Sequence, residues 1–152
     1  MNYEIVSIQE KTVAGLTIRT SNHDMAMTES IGKLWHSFFA EGIYHSISNK
    51  RSDNSIGLYT NYDSNTHNDY DVMVCCEVTD TRLLPAGIQS QLIPAGKYAK
   101  FIVHGNVRQA VAAFWTELWA MNLNRTYSCD FEEYQSGCDM NHAEIHIYIS
   151  IQ

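Results

Sequence analysis

Ala143-Glu144-Ile145-His146-Ile147-Tyr148-Ile149-Ser150-Ile151 alternates aliphatic and polar residues without a break, the pattern of a strand with one buried face. Ile145, Ile147, Ile149 and Ile151 must face a core, so Glu144, His146 and Tyr148 face the other way. Upstream, Phe131-Glu132-Glu133-Tyr134 supplies the partner strand, joined through the polar loop Ser136-Gly137-Cys138-Asp139-Met140-Asn141. Alternation puts Glu132 and Tyr134 on one face of that strand and Phe131 and Glu133 on the other. A slip of one residue in the pairing decides whether Glu132 lies beside the isoleucines or beside Glu144 and His146. In the first register a carboxylate is buried and needs a cation, from the protein or from a ligand, because desolvating it unpaired is costly. In the second it is part of a solvated acidic strand.

The same order of elements occurs twice: a strand, an amphipathic helix, then a hairpin. Val13-Ala14-Gly15-Leu16-Thr17-Ile18-Arg19 leads to a helix near 24–40, then to 56–62 and 70–78; Tyr98-Ala99-Lys100-Phe101-Ile102-Val103-His104 leads to a helix near 106–122, then to 129–135 and 143–151. Met27, Ile31, Leu34, Trp35, Phe38 and Phe39 recur at helical steps, as do Val107, Val111, Phe114, Trp115 and Leu118. Asp24 and Asn106 are expected N-caps, the latter in a capping box with Gln109, and Gly42 is placed to end the first helix. Polar residues 63–69 join the first hairpin, 80–92 read as a linker, and 41–55 reads as a mobile loop over an opening. The expected fold is therefore α+β: one domain spanning 1–152, with repeats over about 1–80 and 92–152. These duplicated strand-helix-hairpin units form a mostly antiparallel sheet with two helices packed on one face. A ligand groove runs along the join.

Bulk properties narrow the function. At 152 residues and 45% hydrophobic content, one compact domain buries roughly two thirds of its unfolded surface. No apolar stretch approaches the roughly 20 residues of a membrane span, and Met1-Asn2-Tyr3-Glu4 does not open a signal sequence, so a cytoplasmic protein is expected. A formal charge of −7 with no Lys/Arg cluster opposes direct nucleic-acid binding and favours a cationic small molecule over an anionic one. Cys75, Cys76, Cys129 and Cys138 have no Cys-x-x-Cys spacing and read as reduced and structural.

Aromatic residues support a binding groove. Tyr59 and Tyr62 are assigned the positions in the first half that Phe131 and Tyr134 hold in the second, and Trp35 and Trp115 fall at equivalent places on the two helices. Such rings stack on planar ligands and attract cations, although each also serves as ordinary core packing. His142 and His146 lie about 13 Å apart along a strand, too far to share a metal ion, and His23, His36, His45, His67 and His104 are scattered. No phosphate loop, nucleophile elbow or Cys/His nucleophile spacing is present, so no metal, cofactor or catalytic residue is assigned.

The duplicated unit, Phe-Glu-x-Tyr at 131–134 and Glu-Ile-His-Ile-Tyr-Ile-Ser-Ile at 144–151 together resemble the GyrI-like small-molecule-binding (AraC effector-binding) domain, over essentially the whole chain. The resemblance implies an antiparallel sheet with two helices and a central pocket for lipophilic, often cationic compounds, acting in multidrug-responsive transcription regulation. It carries the pocket carboxylate onto Glu132 and offers only a loose match, Asp139 or Glu144, for a second acid. No DNA-binding helix-turn-helix flanks the domain, so a stand-alone bacterial binder of drugs or toxins is expected, with Glu132, Tyr134, Tyr59, Tyr62, Trp115, Trp35 and Phe38 as its ligand-binding residues. A regulator or a topoisomerase is the implied protein partner. The alternatives implied by relatives are a hydrolase of reactive electrophilic natural products, with water activated by the glutamate, and a gyrase-inhibitor type of protein interaction.

Overall fold

The computed structural model describes residues 1–21, 24–63 and 69–152. His23, His67 and most of the loop expected at 63–69 lie outside the described residues. Eight strands and three helices follow in chain order: β1 Glu4–Ile8, β2 Lys11–Ser21, α1 Met27–Ala40, α2 Ile43–Ser46, β3 Ser55–Thr60, β4 Asp69–Glu77, β5 Gln89–Ile93, β6 Gly96–Gly105, α3 Val107–Ala120, β7 Arg125–Tyr134 and β8 Ala143–Ile151. The strands form one antiparallel sheet in the order β1-β6-β8-β7-β3-β4-β2-β5. Exchanging β1–β4 for β5–β8 turns this order into its own reverse, so the sheet has a pseudo-twofold axis between β3 and β7.

The repeat is less separable than the sequence suggests. β1 pairs with β6 and β5 pairs with β2, so each half lends its first strand to the other. Residues 80–92, expected as a linker, instead run into β5, and Leu84 and Ile88 pack beneath α1. Strands of only five residues, such as Glu4–Ile8 and Gln89–Ile93, are too short to give a clear periodic signal, which is why β1 and β5 escape a pattern search.

Local chemistry explains the helix ends. Asn106 accepts from the backbone N–H groups of Arg108 and Gln109 at 3.1 and 3.2 Å, supplying partners for two donors left free at the start of α3. Asp24 is not the expected cap of α1: the N-cap is Ala26, without a side-chain hydrogen bond, and the Asp24 carboxylate accepts from the Ala26 N–H ahead of the helix. Gly42 ends α1 in the left-handed region at φ 76°, where a Cβ would be strained. The expected loop at 41–55 holds α2 and is tied to its surroundings. Lys50 Nζ donates to the carbonyls of Tyr44 and Ile47, the Arg51 N–H donates to the Glu77 carbonyl, and Ile47 is fully buried.

Both faces of the sheet are apolar. On one, α1 covers Ala14, Val74 and Cys76 with Phe38, while α3 covers Phe101, Ile145, Ile147 and Ile149 with Phe114 and Leu118. Each of these phenylalanines is worth roughly 3–5 kcal/mol against truncation to alanine. On the other face Val13, Leu58, Met73, Tyr98 and Phe131 form a second core. It receives Val6 and Ile8 from one edge of the sheet and Ile93 from the other, so the sheet curls around it. Cys75, Cys76 and Cys129 are free and buried in these layers, whereas the free Cys138 is exposed. The two long helices sit over opposite ends of the sheet, α1 against β2 and β4 and α3 against β6. The central strands β3 and β7 are left as the floor of a groove.

Candidate functional site

Between α1 and α3 lies an open cavity of about 2510 Å³, floored by β3 and β7. The register settles which glutamate enters it. Glu132 pairs with Ile147 and Tyr134 with Ile145, on the helix-covered face, whereas Glu133 pairs with His146 on the opposite one. Glu132 is 1% exposed. On β3 the residue facing it is Gly57, where an added Cβ would lie 3.2 Å from Glu132 Oε1 and 3.3 Å from the Trp35 ring.

Glu132 is held by neutral donors alone. Tyr134 Oη donates to Oε1 at 2.6 Å, and Trp115 Nε1 and Tyr59 Oη donate to Oε2 at 2.7 and 3.1 Å. Among the described residues no cation forms an ion pair with it. Burial pushes its pKa above the ordinary carboxylate value, against the opposing pull of the three hydrogen bonds. Burial and the adjacent carboxylate also push the hydroxyls of Tyr59 and Tyr134 well up, so both stay protonated donors. Each tyrosine is braced edge-on by the tryptophan of one helix: Trp35 on Tyr134 with ring centroids 5.2 Å apart, and Trp115 on Tyr59 at 5.4 Å.

Six of the seven residues expected to bind ligand line this cavity: Glu132, Tyr134, Tyr59, Tyr62, Trp115 and Trp35. Phe38 does not, being fully buried between α1 and the sheet. One helical step on, Phe39 lines the cavity and stacks on Trp35 at 6.0 Å and 10°. Tyr59 and Phe131 do not hold equivalent places in the two halves: Tyr59 lines the cavity on the helix-covered face, whereas Phe131 faces the opposite core, stacked on Tyr148 at 4.5 Å. Asp139 and Glu144 reach only the rim, where they contact His142, and His104 with His146, respectively.

The buried second acid is Asp130, fully enclosed on the same face as Glu132. Unlike Glu132 it has a cation, Arg125 Nη2, at 2.6 Å, and it also accepts from Tyr62 Oη at 2.6 Å and from the Ser150 N–H at 3.0 Å. Two-residue alternation from Glu132 is the sequence signal that could have found it. No group of three or more His, Cys, Asp or Glu side chains placed to hold a metal ion occurs among the described residues.

The chain belongs to the family of integron-associated effector binding proteins (Cass2), whose model matches residues 4–151, and it has the GyrI-like effector-binding fold. It is 32% identical to the Bacillus subtilis (strain 168) protein YobU, by name a candidate transcriptional regulator, over 97% of this chain and 96% of that one. The integron cassette protein VCH_CASS2 of Vibrio cholerae superposes with a TM-score of 0.80 at 30% identity, covering 99% of this chain and 95% of that one. SAV2435, solved bound to tetraphenylphosphonium, superposes at 0.83 with 18% identity, covering 100% of this chain and 94% of that one, a likeness of fold.

Proposed function

We propose that this chain is a binding module for lipophilic, aromatic organic cations, acting in drug or toxin sequestration or sensing. The observation that carries the reading is the state of Glu132, a buried carboxylate with three neutral donors and, among the described residues, no cation. Such a site holds a charge at a cost that a ligand's positive centre offsets. Trp35, Phe39, Tyr59 and Trp115 supply aromatic walls around it, each ring adding roughly 0.5–2 kcal/mol for a desolvated cation. The family's effector-binding description and the tetraphenylphosphonium held by a protein of the same fold agree with this chemistry. Both Glu132 oxygens already accept hydrogen bonds, which favours stabilising a charge over taking a proton from water as a general base.

The test is calorimetric titration with tetraphenylphosphonium and with neutral triphenylphosphine oxide, on the wild type, Glu132→Gln and Glu133→Gln. The cation should bind the wild type more tightly than the oxide, and Glu132→Gln should lose about 5- to 150-fold in cation affinity, or about 1–3 kcal/mol. Glu133→Gln, altered on the opposite face, should bind as the wild type does. Equal binding of the oxide, or an effect confined to Glu133, would overturn the reading.

A further inference from the structure

Glu132 and Asp130 lie two residues apart on one face of β7, yet among the described residues Asp130 alone of the two has a counter-charge. The Arg125 side chain is 10% exposed and Asp130 is fully enclosed. Arg125 lines the cavity and Asp130 does not, so the guanidinium, together with Tyr62, forms a cover over the acid. Arg125 lies over the ring of Tyr127 at 4.3 Å and near that of Trp115 at 6.0 Å, and its Nε is buried without an acceptor among the described residues. Its one ionic partner there is Asp130. Among the described residues, the two fully buried carboxylates and one guanidinium thus leave a single net negative charge in the enclosed part of the site. The other charges lining the cavity lie nearer water, where they are screened: Glu29 pairs with Lys33 at 70% and 75% exposure, Asp53 and Arg108 are exposed, and Asp63 is half-buried.

Resting on the cation reading of Glu132, we infer that Arg125 is a specificity-determining residue: by neutralising Asp130 at the cavity wall, it restricts the site to ligands with one positive charge. Size does not impose this limit, because a cavity of about 2510 Å³ exceeds the roughly 300–1,000 Å³ of ordinary small-molecule sites. A second cationic centre would have to settle beside the Arg125 guanidinium in a poorly screened groove. Removing that guanidinium uncovers Asp130 and supplies the second centre with a partner.

The test compares benzyltriphenylphosphonium with the bis-phosphonium in which two triphenylphosphonium groups share a p-xylylene bridge, titrated into folded protein. In the wild type the dication should bind no tighter than the monocation. Arg125→Gln should raise the dication-to-monocation affinity ratio by roughly tenfold or more, and Arg125→Gln with Asp130→Asn should return it to the wild-type value. Asp130→Asn alone leaves the guanidinium charge unopposed and should weaken the monocation by roughly tenfold, although Asp130 does not line the cavity. That variant and the double variant carry the test if Arg125→Gln fails to fold. An unchanged ratio in folded Arg125→Gln, or unchanged monocation affinity in Asp130→Asn, would overturn the inference. If the monocation binds and depends on Glu132 but ignores Arg125 and Asp130, this inference alone falls. If it does not bind the wild type at all, the cation reading falls with it.

Discussion

Gly57 faces Glu132 directly across the β3–β7 pair, and the hydrogen in place of a side chain is what leaves the carboxylate its room. A methyl at residue 57 would press on Oε1 at 3.2 Å and on the Trp35 ring at 3.3 Å, both tighter than ordinary contact. The acid and the aromatic wall beside it therefore depend on one small residue that itself binds nothing.

Gly57→Ala should consequently fold but bind cations more weakly. Overpacking of this kind costs about 1–3 kcal/mol, and here the strain is relieved by turning the carboxylate away from Tyr134. Tetraphenylphosphonium affinity should fall about 5-fold or more, with the circular dichroism spectrum unchanged. Retention of full affinity would show that Glu132 is not held where binding needs it.

Binding should depend on pH through Glu132. Its folded-state pKa is raised above the ordinary 4.5, chiefly by burial, so the proton is retained into a window above that value. A cation needs the deprotonated form, and affinity should rise with pH through the window and level off above it. Below the midpoint the slope should approach a loss of roughly tenfold per pH unit. Tetraphenylphosphonium has no titrating group, so a slope measured by calorimetry belongs to the protein, and its absence in Glu132→Gln would assign it.

The donors around Glu132 should tune that midpoint in order of hydrogen-bond length. Hydrogen bonds to a charged group are worth about 1.5–3 kcal/mol, so losing one moves the midpoint upward by about one to two pH units. Trp115→Phe keeps a ring but loses the 2.7 Å donor; Tyr59→Phe loses the 3.1 Å donor and should move the midpoint less. The reverse order, read from affinity against pH, would mean that the two variants act through wall packing instead.

Period alone located the pieces of this site but not their assembly. The alternation of 143–151 and the helical steps of Trp35 and Trp115 announce β8, α1 and α3 with their inward faces, because each buries one side against the sheet. Register is different: whether Glu132 meets Ile147 or His146 depends on the pairing between strands, which no local pattern encodes. The exchange of β1 and β5 between halves is a long-range pairing of the same kind. Arg125 and Asp130 were missed because a buried ion pair looks, in sequence, like two ordinary surface charges. Phe38 and Phe39 are neighbours that differ by one helical step, and that rotation sends one into the core and the other to the cavity.

Glu132→Gln should separate stability from binding. A carboxylate whose pKa is raised by folding stabilises the fold while protonated and loses that contribution as pH rises through the raised value. Above that raised value the wild type carries a buried charge at a cost, which the amide removes. The amide oxygen can still accept from Trp115 and Tyr59, and its NH2 can donate to the Tyr134 hydroxyl, so the network survives the change. The variant's thermal midpoint without ligand should match or exceed that of the wild type, and its stability should vary less with pH above 4.5. Tetraphenylphosphonium at 100 times its dissociation constant stabilises a binding-competent protein by about 2.7 kcal/mol, an upward shift of roughly 5–11 °C for a domain of this size. That shift should appear in full in the wild type, and at the same ligand concentration Glu132→Gln should keep only about 1.8 kcal/mol of it for a 5-fold loss of affinity and about 0.3 kcal/mol for a 150-fold loss. If the variant instead melts several degrees lower and keeps the full ligand shift, the carboxylate serves to anchor Tyr59, Tyr134 and Trp115, and the cation is recognised elsewhere in the groove.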